Sequence, residues 1–312
     1  MPEPTPQALR TGRPPWAVRD GVTYGALGAP LAFVALPLYV QWPAFAAENL
    51  GLSLAVVGGL LLGMRGVDAL IDPWLGAQVD RRFSQEAPGV WRLMAVACVL
   101  VAAGFAWLFL PPSFATTSTL LATTWSLIGL FVTYLGFSVA QFGHQAWGAR
   151  LGGDAPYRAR GVGAREVFAL LGVMVASVLP SQAGWGITAL TLTLLLLISM
   201  ALLRHAPTAC TPLRSTLGGP TPPSAQPPSA LGLPWQHREF RRLVLVYLAN
   251  GMASAIPATL VLFYVRDRLQ LPTYEALFLL AYFAAAALSV PWWAKVVAPQ
   301  AVSVDSSAGD EE

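Results

Sequence analysis

Long apolar blocks alternate with short polar connections along the whole chain. They lie near residues 22–43, 52–76, 91–112, 118–147, 163–182, 185–203, 241–265 and 274–297. A helix of about 20 apolar residues crosses the hydrocarbon core of a bilayer, and each block meets that length. In lipid an isolated segment must satisfy its own backbone N–H and C=O groups, so every block is predicted as a helix. The period-2 alternation of a membrane β-barrel is missing. The pattern predicts an all-α integral membrane bundle of eight helices.

The polar connections differ in charge. Arg10, Arg13 and Arg19 precede the first block. Arg81, Arg82 and Arg92 flank the second connection, Arg150, Arg158 and Arg160 the fourth, and Arg204, Arg214 and Arg238 the sixth. The first, third and fifth connections carry no arginine or lysine. Basic residues favour the cytoplasmic side, so the alternation places both termini in the cytoplasm of a plasma (inner) membrane protein. Arg266 and Arg268, between the last two blocks, run against this rule.

The blocks divide the chain into a cytoplasmic N-terminal segment (1–20), a six-helix half (21–204), a linker (205–239), two further helices (240–298) and an acidic tail (299–312). The linker holds Pro207, Pro212, Pro220, Pro222, Pro223, Pro227, Pro228 and Pro234 among Ser, Thr and Gly. Such a stretch can neither hold a helix nor bury a core. The tail, ending Gly309-Asp310-Glu311-Glu312, reads as disordered. Ala44-Phe45-Ala46 resembles a signal cleavage site, but the apolar stretch before it is too long and is interrupted by Pro30 and Pro37.

Composition agrees with the pattern. Of 312 residues, 55% are hydrophobic and 11% charged, against about 25% charged in a soluble domain. The net charge of +3 and the scattered arginines argue against nucleic acid as a partner. Cys98 and Cys210 are too isolated for a disulfide framework or a zinc site. Neither an HExxH nor a GxSxG motif occurs, which argues against an intramembrane enzyme, and no cofactor is implied.

Charges inside the second block carry the most chemistry. It reads Met64-Arg65-Gly66-Val67-Asp68-Ala69-Leu70-Ile71-Asp72-Pro73. On a helix Arg65 and Asp72 lie about 20° apart and Asp68 about 60° from Arg65, so all three share one face. Each charge at a helix centre costs roughly 2.5–3.5 kcal/mol. Three on one face must therefore look into a bundle interior or a watery cavity. Two readings stand: a cation site in which Asp68 and Asp72 hold Na⁺ or H⁺, or a structural network around Arg65. The excess of acid over base favours the cation site. Asp80, Arg81 and Arg82 follow at the helix end, for pairing or for anchoring the topology.

Gly76-x-x-x-Asp80-Arg81 resembles the loop motif after helix two of major facilitator transporters, without its later basic-glycine part. Asp68-x-x-x-Asp72-Pro73, Tyr24-Gly25-x-x-Gly28, Gln145-Ala146-Trp147-Gly148-Ala149 and Arg165-Glu166 resemble the glycoside–pentoside–hexuronide:cation symporter branch, the melibiose permease-like members. That resemblance implies a secondary active transporter of a small polar solute, a sugar or glycoside among the candidates, coupled to Na⁺ or H⁺ by alternating access. It implies that Asp68 and Asp72 coordinate the cation, with no other metal site. It further implies that Arg165 hydrogen-bonds a solute hydroxyl and that Trp147 stacks on a ring, with Tyr24 nearby.

The sequence departs from that branch where its sugar permeases carry acidic residues on helices one and four. Here the stretches read Gly28-Ala29-Pro30 and Phe142-Gly143-His144. His144 stands as a proton-sensitive substitute or as a hydrogen-bonded structural group. In the seventh block Asn250 and Ser254 share a face for lining a cavity or for packing, and Pro257 is placed to break the helix. Glu275 opens the eighth block at the interface, and Pro291-Trp292-Trp293 with Lys295 reads as an interfacial anchor. The family pattern has twelve helices in two halves, so eight read as a complete first half and a truncated second. The rival reading is a non-transporting membrane remnant or interaction module.

Overall fold

A computed structural model describes residues 17–85, 87–151, 155–206 and 237–289. Most of the N-terminal segment, most of the linker, the Pro291–Lys295 anchor and the acidic tail lie outside these residues. Among the described residues the chain is helical throughout, with no strand. Five stretches are long and apolar enough to cross a membrane: Val18–Asn49, Leu54–Val79, Gly89–Phe109, Thr119–Ala149 and Tyr157–Leu203.

Helix α1 (Val18–Asn49) is broken by its prolines. Regular turns over Gly28–Leu36 give way to a π-helical segment, Pro37–Gln41, and α-helix resumes at Trp42–Asn49. Proline offers no N–H to the turn before it, so the ladder slips where Pro37 and Pro43 enter. Helix α2 (Leu54–Gln85) starts at Ser53, whose hydroxyl oxygen accepts from the Val56 N–H at 3.4 Å. At 32 residues it runs about 48 Å, well past the hydrocarbon core, so its Arg81–Arg82 end projects beyond the apolar block 52–76. Helices α3 (Ala87–Phe109) and α4 (Thr119–Ala149) form a tightly packed hairpin, and α4 is capped by Ser118.

The fifth and sixth blocks form one element, Ala155–Leu203, bent at Gly184. Gly184 has φ +78°, a conformation that a Cβ resists, so glycine is what lets α5 (155–183) fold back into α6 (185–203) without a loop. Five spanning stretches are thus six crossings, as the blocks predict. Helix α7 (Arg238–Phe263) passes into a second π-helical segment, Tyr264–Arg268, and α8 covers Glu275–Ser289.

Helix α1 threads the bundle. It packs along the Ala155–Leu203 element and meets α7 at the Pro37–Gln41 segment. The α1–α5 crossing is close because Gly172 faces the Ala29 carbonyl; a Cβ there would stand 2.0 Å from that oxygen. Small residues at such crossings are how membrane helices gain contact without a hydrophobic drive between them. At the Gly184 end, Phe45, Phe105, Phe109 and Trp185 join α1, α3 and α6, with Trp185 stacked on Phe109 at 4.0 Å.

Candidate functional site

The site is built on α2. Pro73 lies inside the helix without ending it, so the register between Arg65 and Asp72 is kept. Asp68 and Asp72 line one narrow crevice of about 10 Å³, with Met64, Phe131, Tyr134 and Ser138. That volume holds about one water-sized particle. Arg65 reaches to 4.0 Å from Asp68. Its guanidinium also lies over the rings of Tyr39 at 4.5 Å and Tyr134 at 5.9 Å. The three charges therefore share one face, as the helical spacing predicts, and that face is turned towards α1 and α4.

Their balance is uneven. The Asp68 side chain is 17% exposed and that of Arg65 is 58% exposed. Asp72 Oδ1 is buried and accepts no hydrogen bond. A buried carboxylate oxygen left without a partner is costly. A monovalent cation or a proton entering the crevice would relieve that cost. Tyr39, Tyr134 and Ser138 belong to this site although the spacing argument does not reach them; polar side chains inside apolar blocks were the available signal.

The residues expected to contact solute divide into three groups. Tyr24, His144 and Trp147 come together where α1 meets α4, but as a sealed joint, each under 5% exposed. The Tyr24 hydroxyl donates to the His144 carbonyl at 3.2 Å, and His144 Nε2 lies 2.9 Å from the Tyr24 carbonyl. Facing an oxygen that can only accept, Nε2 carries the proton. His144 thus takes the hydrogen-bonded structural place, the second of its two sequence readings. Arg165 borders this joint from α5 and is tied to its neighbour Glu166 at 2.6 Å. Asn250 is exposed on α7 and lines neither the α2 crevice nor the one described next. Arg81 is exposed at the far end of α2, and Asp80 precedes it in the same helix.

A second, larger crevice of about 190 Å³ opens where α1 ends, where α5 turns into α6, and where α7 turns into α8. Arg266 spans it, bonded to Glu48 of α1 and to Glu275 of α8. Arg266, one of the two arginines that run against the basic-residue alternation, thus has its charge met by two carboxylates.

A family model described as MFS/sugar transport protein matches residues 21–298. The chain belongs to the MFS/sugar transport protein family. No curated protein matches it. Membership fits the all-α multi-pass architecture and makes the chain a membrane transporter in kind, from a family whose members carry solutes and are not enzymes. The match extends past the six-helix half through α7 and α8, so both belong to the family region.

Proposed function

We propose that the protein is a cation-coupled symporter of a small polar solute, working by alternating access, with Asp68 and Asp72 as the cation ligands. One observation carries this reading: both carboxylates line the same crevice of α2, and a buried oxygen of Asp72 has no hydrogen-bond partner. Structural ion networks pair their charges; this one keeps an acid in surplus. Arg65 offsets one carboxylate and the transported Na⁺ or H⁺ offsets the other. Because cation and solute share the field of these charges, each raises the other's affinity by the same factor. Termini on the cytoplasmic side follow from the arginine distribution.

Uptake by full-length protein in sealed vesicles tests the reading, with a panel of sugars and glycosides, with and without a Na⁺ or proton gradient. Gradient-driven uptake by the wild type, and its loss in Asp72→Asn that inserts in equal amount, is the expected result. Wild-type flux indifferent to both gradients, or an Asp72→Asn chain that keeps its cation dependence, overturns it.

A further inference from the structure

We infer that the crevice between the ends of α1, α5–α6 and α7–α8 is a binding site for a small solute bearing a protonated amine. The site lies among Gln41, Glu48, Ser177, Ser181, Trp185 and Arg266, on residues separate from the Asp68–Asp72 crevice.

The argument begins with Gln41. It occupies the last position of the π-helical segment Pro37–Gln41, is 8% exposed, and lines the crevice. Its amide nitrogen donates to the Ala176 carbonyl at 3.3 Å, while its Oε1 is buried with no partner. π-Helical turns often mark functional positions in helices because they re-aim side chains. A second such turn, Tyr264–Arg268, supplies Arg266 from the opposite wall.

The other polar groups narrow the ligand. The Ser177 hydroxyl donates to the Met174 carbonyl at 2.7 Å and the Ser181 hydroxyl to the Val178 carbonyl at 2.8 Å. The amide of Asn49 donates to the Phe45 carbonyl at 3.2 Å. Both serine protons, and one N–H of the Asn49 amide, are already used within their own helix. On the α1–α5 wall the buried polar atom left without a partner is an acceptor, Gln41 Oε1, and the serine oxygens offer further lone pairs. The Arg266 Nη1 on the opposite wall faces Glu48. Glu48, Arg266 and Glu275 sum to one negative charge, and the Glu48 side chain is 55% exposed. A buried acceptor without a partner, together with a surplus negative charge, favours a guest that brings N–H donors and positive charge. An ammonium group supplies three donors and the charge. Trp185 adds an aromatic wall, which also favours cations. At about 190 Å³ the crevice is smaller than the drug-sized pockets of about 300 Å³ and more, so the guest is small. The inference does not depend on the cation-coupled reading.

The test is thermal unfolding of the full chain in nanodiscs, in an amine-free buffer, titrated with ethanolammonium or with its neutral counterpart ethylene glycol. A ligand of the folded state raises the unfolding midpoint with its concentration. Ethanolammonium is expected to raise it by several degrees and ethylene glycol to leave it unchanged. Gln41→Leu, and independently Glu275→Gln, are expected to abolish most of the rise. Asp72→Asn is expected to keep it. No rise with either compound overturns the inference, as does an equal rise with both. A rise that survives in Gln41→Leu and Glu275→Gln places the amine elsewhere and overturns it as well.

Discussion

Tyr24 and His144 fasten α1 to α4 by two hydrogen bonds that run in opposite directions, one from the phenol to the histidine carbonyl and one from the imidazole to the tyrosine carbonyl. Their rings lie 4.7 Å apart. This arrangement predicts similar costs. Tyr24→Phe and His144→Leu each remove the donor that serves a buried carbonyl, at about 1–3 kcal/mol apiece. Thermal unfolding of the two variants should show losses of the same order. Unchanged stability with abolished uptake would instead return the pair to the solute site.

The α1–α5 crossing yields a second prediction. The position of a Cβ at Gly172 is 2.0 Å from the Ala29 carbonyl oxygen, a backbone atom that cannot swing away. Gly172→Ala should force the helices apart and cost about 1–3 kcal/mol, the usual range for overpacking. Gly163 lies in the same element with nothing within 4 Å of its Cβ position. Gly163→Ala should leave stability unchanged or raise it slightly, since alanine is the better helix former. Size-exclusion profiles and unfolding midpoints in detergent check both.

With Asp68 and Asp72 as the proposed cation ligands, Arg65 would compete with the cation for the same carboxylates. It stands 4.0 Å from Asp68 with its side chain 58% exposed, so water weakens but does not remove its hold. Arg65→Gln should therefore lower the cation concentration for half-maximal uptake several-fold. Arg65→Lys keeps the charge and should leave that concentration nearly unchanged. It loses the planar stack on Tyr39 and with it about 0.5–1 kcal/mol of stability. Uptake measured against cation concentration separates the two effects. A raised half-maximal concentration in Arg65→Gln would mean that the arginine organises the site and does not compete.

Much of this was legible in the residues themselves. Helical spacing alone put Arg65, Asp68 and Asp72 on one face, because a 3.6-residue period is a local property. Block lengths gave the six crossings of the first half, and the α5–α6 turn falls between the expected blocks 163–182 and 185–203, at Gly184. What spacing could not give were partners across helices. Tyr39 and Tyr134 over Arg65, and Glu48 with Glu275 on Arg266, are joined by packing between elements far apart in sequence. Tyr24, His144 and Trp147 come together in the fold, yet whether three such residues make a pocket or a joint depends on how closely α1 and α4 approach. The π-helical turn that aims Gln41 left only the closely spaced Pro37 and Pro43 as its trace.

Arg266 provides the last prediction. It is bonded to Glu48 and to Glu275, and α7 otherwise meets the bundle mainly at the Pro37–Gln41 segment. Removing the guanidinium leaves two carboxylates facing each other across a gap between helices, where like charges repel. Arg266→Gln should therefore loosen the α7–α8 turn from α1 without unfolding the six-helix half. Hydrogen exchange over 262–279 should rise by an order of magnitude or more, while α3 and α4 keep their protection, because local opening draws on the weakest contacts first. Restoring neutrality with Glu48→Gln and Glu275→Gln in the same chain should recover most of the protection. Loss of protection throughout α3 and α4 in Arg266→Gln would show that the clamp supports the whole bundle and not one hairpin.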